Sequence, residues 1–336
     1  MAIFLTEENV KFLCAMKDAI PVLEEAFAEK GSSSAINVPR FRPTINGVGL
    51  TMMVSALGGK RVSGFKVMGA GKPMVLIFGA DSSDAVSENM HSGAMKRLER
   101  GRELLAVLEA SSLGQIRTGA ATGLATKYMS AVQSKTVGIV GTGFQARSQL
   151  EAVCIVRDIE KIKAYSRNVD RKKSFCEEMS QLLSIDVVPA DSAEEAVSDT
   201  DIVVAVTNVR TLDPVVFGDW IKPGSHINAA GANSLERREL DDTAVTLSSV
   251  IAVDDIVQAK LECADLVLPI QSGILDWDKV IELGELVISD SEIRSNLNSD
   301  AVTLFESQGI GLEDIAVATY IYEEAVRMGV GLDLPF

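Results

Sequence analysis

The chain predicts an α/β fold, a doubly wound parallel sheet accompanied by a second domain of mixed helices and strands. Two observations carry that prediction. From Ser134 onward, short apolar strand candidates alternate with helical stretches, the pattern of a parallel sheet covered on both faces. At the head of that region, Thr136-Val137-Gly138-Ile139-Val140 runs into Gly141-Thr142-Gly143-Phe144-Gln145-Ala146 and then a helix-like segment ending at Val156. Strand, tight glycine turn and helix form the context in which GxGxxA becomes a dinucleotide fingerprint and the sheet a Rossmann-type one. Gly141 permits the sharp turn, Gly143 lets backbone approach a pyrophosphate on the helix N-terminus, and Ala146 keeps helix and strand close. Gly141, Thr142, Gly143, Phe144, Gln145 and Ala146 are therefore candidate cofactor-binding residues.

In chain order, residues 6–30 read as one helix with Thr6, Glu8 and Asn9 near its N-cap, apolar positions at helical spacing, and Gly31 as its stop. Pro21 either starts a second helix or kinks the first. Residues 37–78 are strand-like, with apolar runs at 50–54, 64–68 and 74–78 separated by glycine turns; 104–110 is a further strand and 113–130 a long helix. The polar segment 79–102 sits between two strands that a short hairpin would join. It is a solvated loop, a lid or a partner surface, and residues 90–98 could form a short helix inside it. Strand candidates of the second region are 136–140, 161–166, 185–189, 201–207, 226–231 and 250–254, six as in dinucleotide-binding topology. The segment 312–328 is again helical.

Composition excludes several functions. At 47% hydrophobic but 5% aromatic, the core is aliphatic, and a net charge of −15 disfavours nucleic acid and anionic membranes as partners. Cys14, Cys154, Cys176 and Cys263 are scattered without a CxxC, so buried free thiols are expected rather than a disulfide framework or zinc site. No stretch reaches the length of a membrane span and the N-terminus lacks a signal pattern, so we expect a cytoplasmic protein. With only His91 and His226, a Ser-His-Asp triad or a His-rich metal site has almost no material, and no metal is expected.

The second strand of the cofactor region ends in Tyr165-Ser166-Arg167-Asn168, with no acid until Asp170. An NAD enzyme usually places Asp or Glu here for the ribose 2′-hydroxyl. An arginine suits a 2′-phosphate, so NADP(H) is preferred and NAD(H) remains possible. Ser166, Arg167 and Asn168 join the cofactor candidates, with Thr207, Asn208, Ala230, Ser307 and Gly309. Arg40 and Arg42 flank Phe41, Lys66 lies inside the apolar run 64–68, and Arg117 opens an apolar helix. Such cations are costly unless paired; a substrate carboxylate or acids elsewhere in the chain supply the partner. Asn233, after the fifth strand, either hydrogen-bonds nicotinamide or substrate or serves as a turn or cap residue.

Taken together, the stretches Gly114-Gln115-Ile116-Arg117-Thr118-Gly119-Ala120-Ala121, Gly141 through Arg147, Ile227-Asn228-Ala229-Ala230-Gly231-Ala232 with Glu239-Leu240, Glu282-Leu283-Gly284-Glu285-Leu286 and Thr303-Leu304-Phe305-Glu306-Ser307-Gln308-Gly309 resemble the ornithine cyclodeaminase/μ-crystallin family. The resemblance implies a homodimer, with residues 1–130 and 313–336 as substrate-binding and dimerisation domain and 131–312 as dinucleotide domain. It implies hydride exchange between nicotinamide and the α-carbon of a small amino or imino acid, as in imine reductases and amino-acid dehydrogenases. By motif, Arg40 or Arg42, Lys66 and Arg117 match substrate-carboxylate and catalytic positions, and Lys66 protonates or polarises the imine or carbonyl. Two departures stand out. Cyclodeaminases carry an aspartate where this chain has Asn233, and neutral Asn cannot be that base; the 79–102 segment replaces a short hairpin. A cyclodeaminase with catalytic NAD and a non-catalytic crystallin-like binder are the alternatives.

Overall fold

The computed structural model describes residues 2–69, 71–80, 102–289 and 293–335. Packing divides the chain into two units, Met1–Gly114 with Ile310–Phe336, and Gln115–Gly309.

The first unit is built on strands β1 (Ile3–Leu5), β2 (Ala35–Phe41), β5 (Thr51–Leu57), β6 (Val62–Met68), β7 (Met74–Ala80), β8 (Arg102–Glu109) and β17 (Leu332–Asp333), with a small hairpin of β3 (Thr44–Ile45) and β4 (Val48–Gly49). The seven-stranded sheet has the order β17-β1-β8-β7-β6-β5-β2; only β1 and β8 pair in parallel. Period-two alternation sorts its faces. Met53, Ser55, Leu57, Val62, Lys66, Val75, Ile77, Ala106 and Leu108 are buried on one face, which helix α11 (Gly311–Met328) covers. On the other face Val38, Val54, Phe65, Leu76, Val107 and Phe4 form one cross-strand row, exposed or half-buried, with Phe65 stacked on Phe78 at 6.2 Å.

The predicted single helix over 6–30 is two, α1 (Glu7–Leu13) and α2 (Met16–Gly31). Thr6 caps the first in a capping box with Asn9. The break falls at Cys14 and Ala15, both extended, and not at Pro21, which lies exposed inside α2. Lys17, whose carbonyl proline leaves without a donor, is exposed too. The loop, lid or short helix expected within 79–102, and His91 with it, falls mainly on residues 81–101, outside the described residues; β7 and β8 on either side are paired antiparallel.

The second unit is an eight-stranded, all-parallel sheet: β9 (Thr136–Val140), β10 (Lys161–Tyr165), β11 (Asp186–Pro189), β12 (Ile202–Ala205), β13 (His226–Ala229), β14 (Ser248–Val253), β15 (Val280–Glu282) and β16 (Val302–Glu306), in the order β11-β10-β9-β12-β13-β16-β14-β15. All six predicted strands are present, and β15 and β16 are additions. The sixth place of the dinucleotide-binding order belongs to β16, which separates β13 from β14. Successive residues feed opposite cores: Ile202 and Val204 pack with Ala146, Leu150 and Phe175, whereas Val203 and Ala205 pack with Leu240, Val245 and Leu266. Its helices are the part of α3 (Ser111–Met129) from Gln115 on, α4 (Phe144–Val156), α5 (Val169–Leu183), α6 (Ala193–Val197), α7 (Asp242–Thr246), α8 (Ile256–Glu262), α9 (Ala264–Gln271) and α10 (Leu283–Ile288). Among the described residues no helix is long and apolar enough to cross a membrane.

Candidate functional site

The glycine turn has the geometry its sequence requires. Gly141 adopts φ +113°, and a Cβ there would lie 2.3 Å from the Val206 carbonyl oxygen, so no other residue fits without displacing β12's extension. Gly143 caps α4 with no side chain, and a Cβ built on it meets nothing within 4 Å. Ala146 is fully buried. An uncapped N-terminus of a thirteen-residue helix, facing space that no side chain fills, fits a pyrophosphate. The Gln145 side-chain oxygen is buried with no hydrogen-bond partner in the protein, and Phe144 is exposed while its carbonyl accepts from Gln115. Thr142 Oγ1 donates to Ser166 Oγ at 2.9 Å, tying the turn to the end of β10. Asn168 caps α5 by accepting from the Arg171 amide, and Arg167 stands exposed between them.

Farther along the carboxyl edge, Glu239 straps two loops together. Its Oε1 accepts from the Thr207 amide and hydroxyl at 2.6 and 2.7 Å, and its Oε2 accepts from the Gly231 amide at 2.6 Å. Asp265 Oδ1 accepts from the Glu239 and Leu240 amides, and Glu306 Oε2 receives the Cys263 thiol at 3.5 Å. All three carboxyl groups are buried. Burial raises Glu239 against the pull of its Thr207 bonds, raises Asp265, and puts Glu306, which also feels the charges of Asp265 and Glu239, well above the usual carboxylate range. Asn208 is exposed, Ala230 half-buried with its amide on the Ala205 carbonyl, and Asn233 half-buried beyond β13.

Arg117 is buried at 7% exposure, and its guanidinium occupies the place a Cβ on Gly309 would take. Ser307 is buried too; its amide bonds to the Ala229 carbonyl and its hydroxyl to Asp254. His226 is a core residue: fully buried, with Nδ1 on Thr303 Oγ1 and Nε2 on Asn228 Oδ1, its pKa pushed down to about 3 by burial. All four cysteines are free, three of them buried.

In the first unit Lys66 is 3% exposed, on the apolar face of β6, and its Nζ lies 2.9 Å from Asp314 Oδ1. The acid that partners it thus comes from the chain itself, from the first turn of α11, where the helix dipole favours a carboxylate. Gly114 gives the ammonium room: a Cβ there would stand 2.7 Å from Nζ. Arg40 is half-buried at the β2 irregularity and Arg42 exposed just past the strand. Sequence reasoning missed Asp314, Glu239, Asp265, Glu306 and Asp254 as individual groups. Acids within apolar stretches were the available signal, the same one that singles out Lys66.

Comparison with known proteins agrees with this frame. The model of the ornithine cyclodeaminase/mu-crystallin family matches residues 1–329. A Delta(1)-pyrroline-2-carboxylate reductase of Bacillus thuringiensis is 37% identical over 235 residues, 70% of this chain and 71% of the relative. The solved structure of the Thermococcus litoralis Delta(1)-pyrroline-2-carboxylate reductase, in complex with NADH and L-proline, superposes with a TM-score of 0.86 at 33% identity, covering 99% of this chain and all of that one. An archaeal alanine dehydrogenase dimer with bound NAD gives a TM-score of 0.84 at 29% identity, over 100% and 99% of the two chains.

Proposed function

The chain belongs to the ornithine cyclodeaminase/mu-crystallin family, and we propose that it is a nicotinamide-dependent oxidoreductase acting on the C–N bond of a small amino or imino acid, as an imine reductase or amino-acid dehydrogenase. The observation that carries this reading is the glycine turn, open at Gly143 and closed to any side chain at Gly141, in a chain related to pyrroline-2-carboxylate reductases over most of its length. The nicotinamide, when bound, supplies or accepts the hydride. The chain's own groups do the rest. Arg117, with Arg40 or Arg42, holds the α-carboxylate, for which a guanidinium gives two parallel donors. Lys66, kept in place by Asp314 at 2.9 Å, gives the imine nitrogen its proton or polarises the carbonyl. Gly141 through Ala146 receive the pyrophosphate, and Thr207, Asn208, Ala230 and Asn233 face the carboxyl edge of the sheet where ligands bind. Neutral Asn233 supports reduction over cyclodeamination.

Exposed Arg167, with Ser166 beside it and no acid before Asp170, supports NADP(H) over NAD(H). The pattern also supports a homodimer of two copies of this chain: the apolar row from Val38 to Phe4 leaves Val38 and Val54 exposed and the rest half-buried on a sheet face. The archaeal dehydrogenase above is itself a dimer. Free, buried thiols suit a cytosolic setting. The test is a spectrophotometric screen of cyclic imino acids and of 2-oxo acids with amines, NADPH beside NADH. We expect NADPH oxidation with kcat/KM higher by about tenfold or more, the scale of one charge-assisted pair. Ammonia release from ornithine or lysine without net cofactor oxidation would replace this reading with a cyclodeaminase, and silence across the panel with a binding protein. Sedimentation as a monomer at micromolar concentration would remove the dimer.

A further inference from the structure

Strands β14 and β16 are neighbours, paired to their last residues, Val253 with Glu306. The segments that leave the two strands hold each other. Asp254, directly after β14, is fully buried. Its Oδ2 accepts from the Gln308 amide at 2.8 Å, the Gly309 amide at 2.6 Å and the Ser307 hydroxyl at 3.4 Å, while Oδ1 accepts from the Asp255 amide at 3.0 Å. The carbonyl of Gly309 is held as well, by Gln258 Nε2 at 3.3 Å, and Gln258 is fixed by its amide on Asp255 Oδ1 and its side chain on Glu262. Both sides of the Gly309 residue are therefore clamped, in the left-handed region at φ +68°.

The clamped turn is where Arg117 rests. A Cβ on Gly309 would fall 2.2 Å from Arg117 Nη1 and 3.0 Å from Cζ, so the guanidinium packs directly on the Gly309 α-carbon. Arg117's charge in turn favours the ionised form of Asp254, though burial dominates. We propose that Asp254 is a positioning residue for Arg117: through the Ser307-Gln308-Gly309 turn it shapes the seat of the guanidinium and fixes the direction of its donors. The consequence for substrate rests on the reading of Arg117 as the carboxylate-binding residue. The seat itself does not.

Asp254→Asn offers one carbonyl oxygen and an amide group where two backbone amides and a hydroxyl now share one carboxyl oxygen. The turn loosens and the guanidinium loses its direction, while the glycine turn that takes the pyrophosphate belongs to another part of the sheet edge. With Delta(1)-pyrroline-2-carboxylate as probe, Asp254→Asn is expected to raise KM about 10- to 100-fold, the scale of a charge-assisted hydrogen bond. On an Arg117→Met background the same change should add less than about threefold, because groups acting through one another are not additive. Gly309→Ala, which leaves Asp254 in place and pushes on the guanidinium, should reproduce the KM effect and stands in if Asp254→Asn does not fold. The Arg117 Nε–H resonance, assigned by its loss in Arg117→Met, gives a readout independent of turnover. Faster solvent exchange of that proton in Asp254→Asn supports the seat, and unchanged exchange overturns it. An unchanged KM in Asp254→Asn, or full additivity on the Arg117→Met background, also overturns it. An unchanged KM in Arg117→Met sinks the substrate-binding role of Arg117 instead, and the exchange measurement alone then decides the seat.

Discussion

The two units bury ionisable groups by different means. In the antiparallel unit, Lys66 is set on an apolar face and meets the carboxylate of Asp314 at 2.9 Å. In the parallel unit, Glu239, Asp254 and Asp265 are buried against backbone amides, and Glu306 against a thiol. A buried cation with an acid partner keeps its charge because removing either member leaves the other uncompensated. A buried carboxyl can instead take up a proton as burial raises its pKa, to about 7 for Asp254 against the pull of Arg117, and well above the ordinary value for Glu306. Removing the charge of Lys66 should therefore cost stability, whereas replacing the carboxyl of Glu306 should return some. A catalytic ammonium needs the first arrangement, since it must remain cationic away from water.

The largest effect is expected at the ion pair. Lys66→Met keeps the side-chain volume and takes the ammonium away from the buried Asp314 carboxylate, which costs about 3–5 kcal/mol. Turnover should fall by about 100-fold or more, the scale of a general acid, with cofactor affinity nearly unchanged. Lys66→Met with Asp314→Leu should recover most of the stability and none of the turnover. Urea denaturation and steady-state kinetics check both. A single variant as stable as the parent, or as active, would break the contrast at its first term.

These differences were unevenly visible in the sequence. The cost of Lys66 among apolar residues was legible, because burial follows from the alternation of β6 itself. Asp314 was not, since the pairing joins residues 248 apart in sequence and an acid in a first helical turn already has a local explanation. The glycine turn was legible because each of its constraints is local. Strand β16 was hidden: Val302-Thr303-Leu304-Phe305-Glu306 is buried on both faces, so it shows no alternation, and Glu306 argues for a surface that the fold does not provide. The division after Gly114 leaves no mark either, because the helix Ser111–Met129 continues through it with unchanged composition. The six predicted strands of the sheet, bounded by turn residues and helices, could be read directly, whereas β15, only three residues long, could not.

A second pair of substitutions asks whether the parallel unit separates stability from ligand binding where the ion pair joins them. Gly141→Ala must hold alanine at φ +113° with its methyl 2.3 Å from the Val206 carbonyl. The strained backbone and the overpacking together cost about 2–4 kcal/mol. Gly143→Ala meets open space at an ordinary φ of −83°, so its melting temperature should stay within about 1 °C. Its NADPH dissociation constant should nevertheless rise about tenfold or more, as the methyl enters the space meant for phosphate. Thermal unfolding and fluorescence titration of both variants test this. Unchanged NADPH affinity in Gly143→Ala would mean that the open space is not the phosphate site.

The smallest effect carries the opposite sign. Glu306 has a folded-state pKa raised well above its ordinary value, first by burial and then by Asp265 and Glu239, and its Oε1 lacks a hydrogen-bond partner in the protein. A carboxyl with a raised folded pKa binds its proton more tightly in the native state than in the unfolded one. Stability is then lost as pH climbs from the ordinary carboxylate value, 4.5, toward the raised one. Glutamine has nearly the same shape and no proton to lose. Glu306→Gln should therefore melt higher than the parent at pH 8 by about 2–4 °C, corresponding to ~1 kcal/mol in a unit of this size, and the gain should shrink toward pH 5, where the parent carboxyl is protonated and the unfolded chain has less to gain by ionising. Asp265 and Glu239 act on Glu306 and titrate with it, so the difference between the two melting curves reports Glu306 together with these neighbours. A gain independent of pH would mean that packing, and not charge, sets it; a loss at pH 8 would mean that Glu306 is held ionised, and that the second unit tolerates buried negative charge in the same way the first tolerates its ion pair.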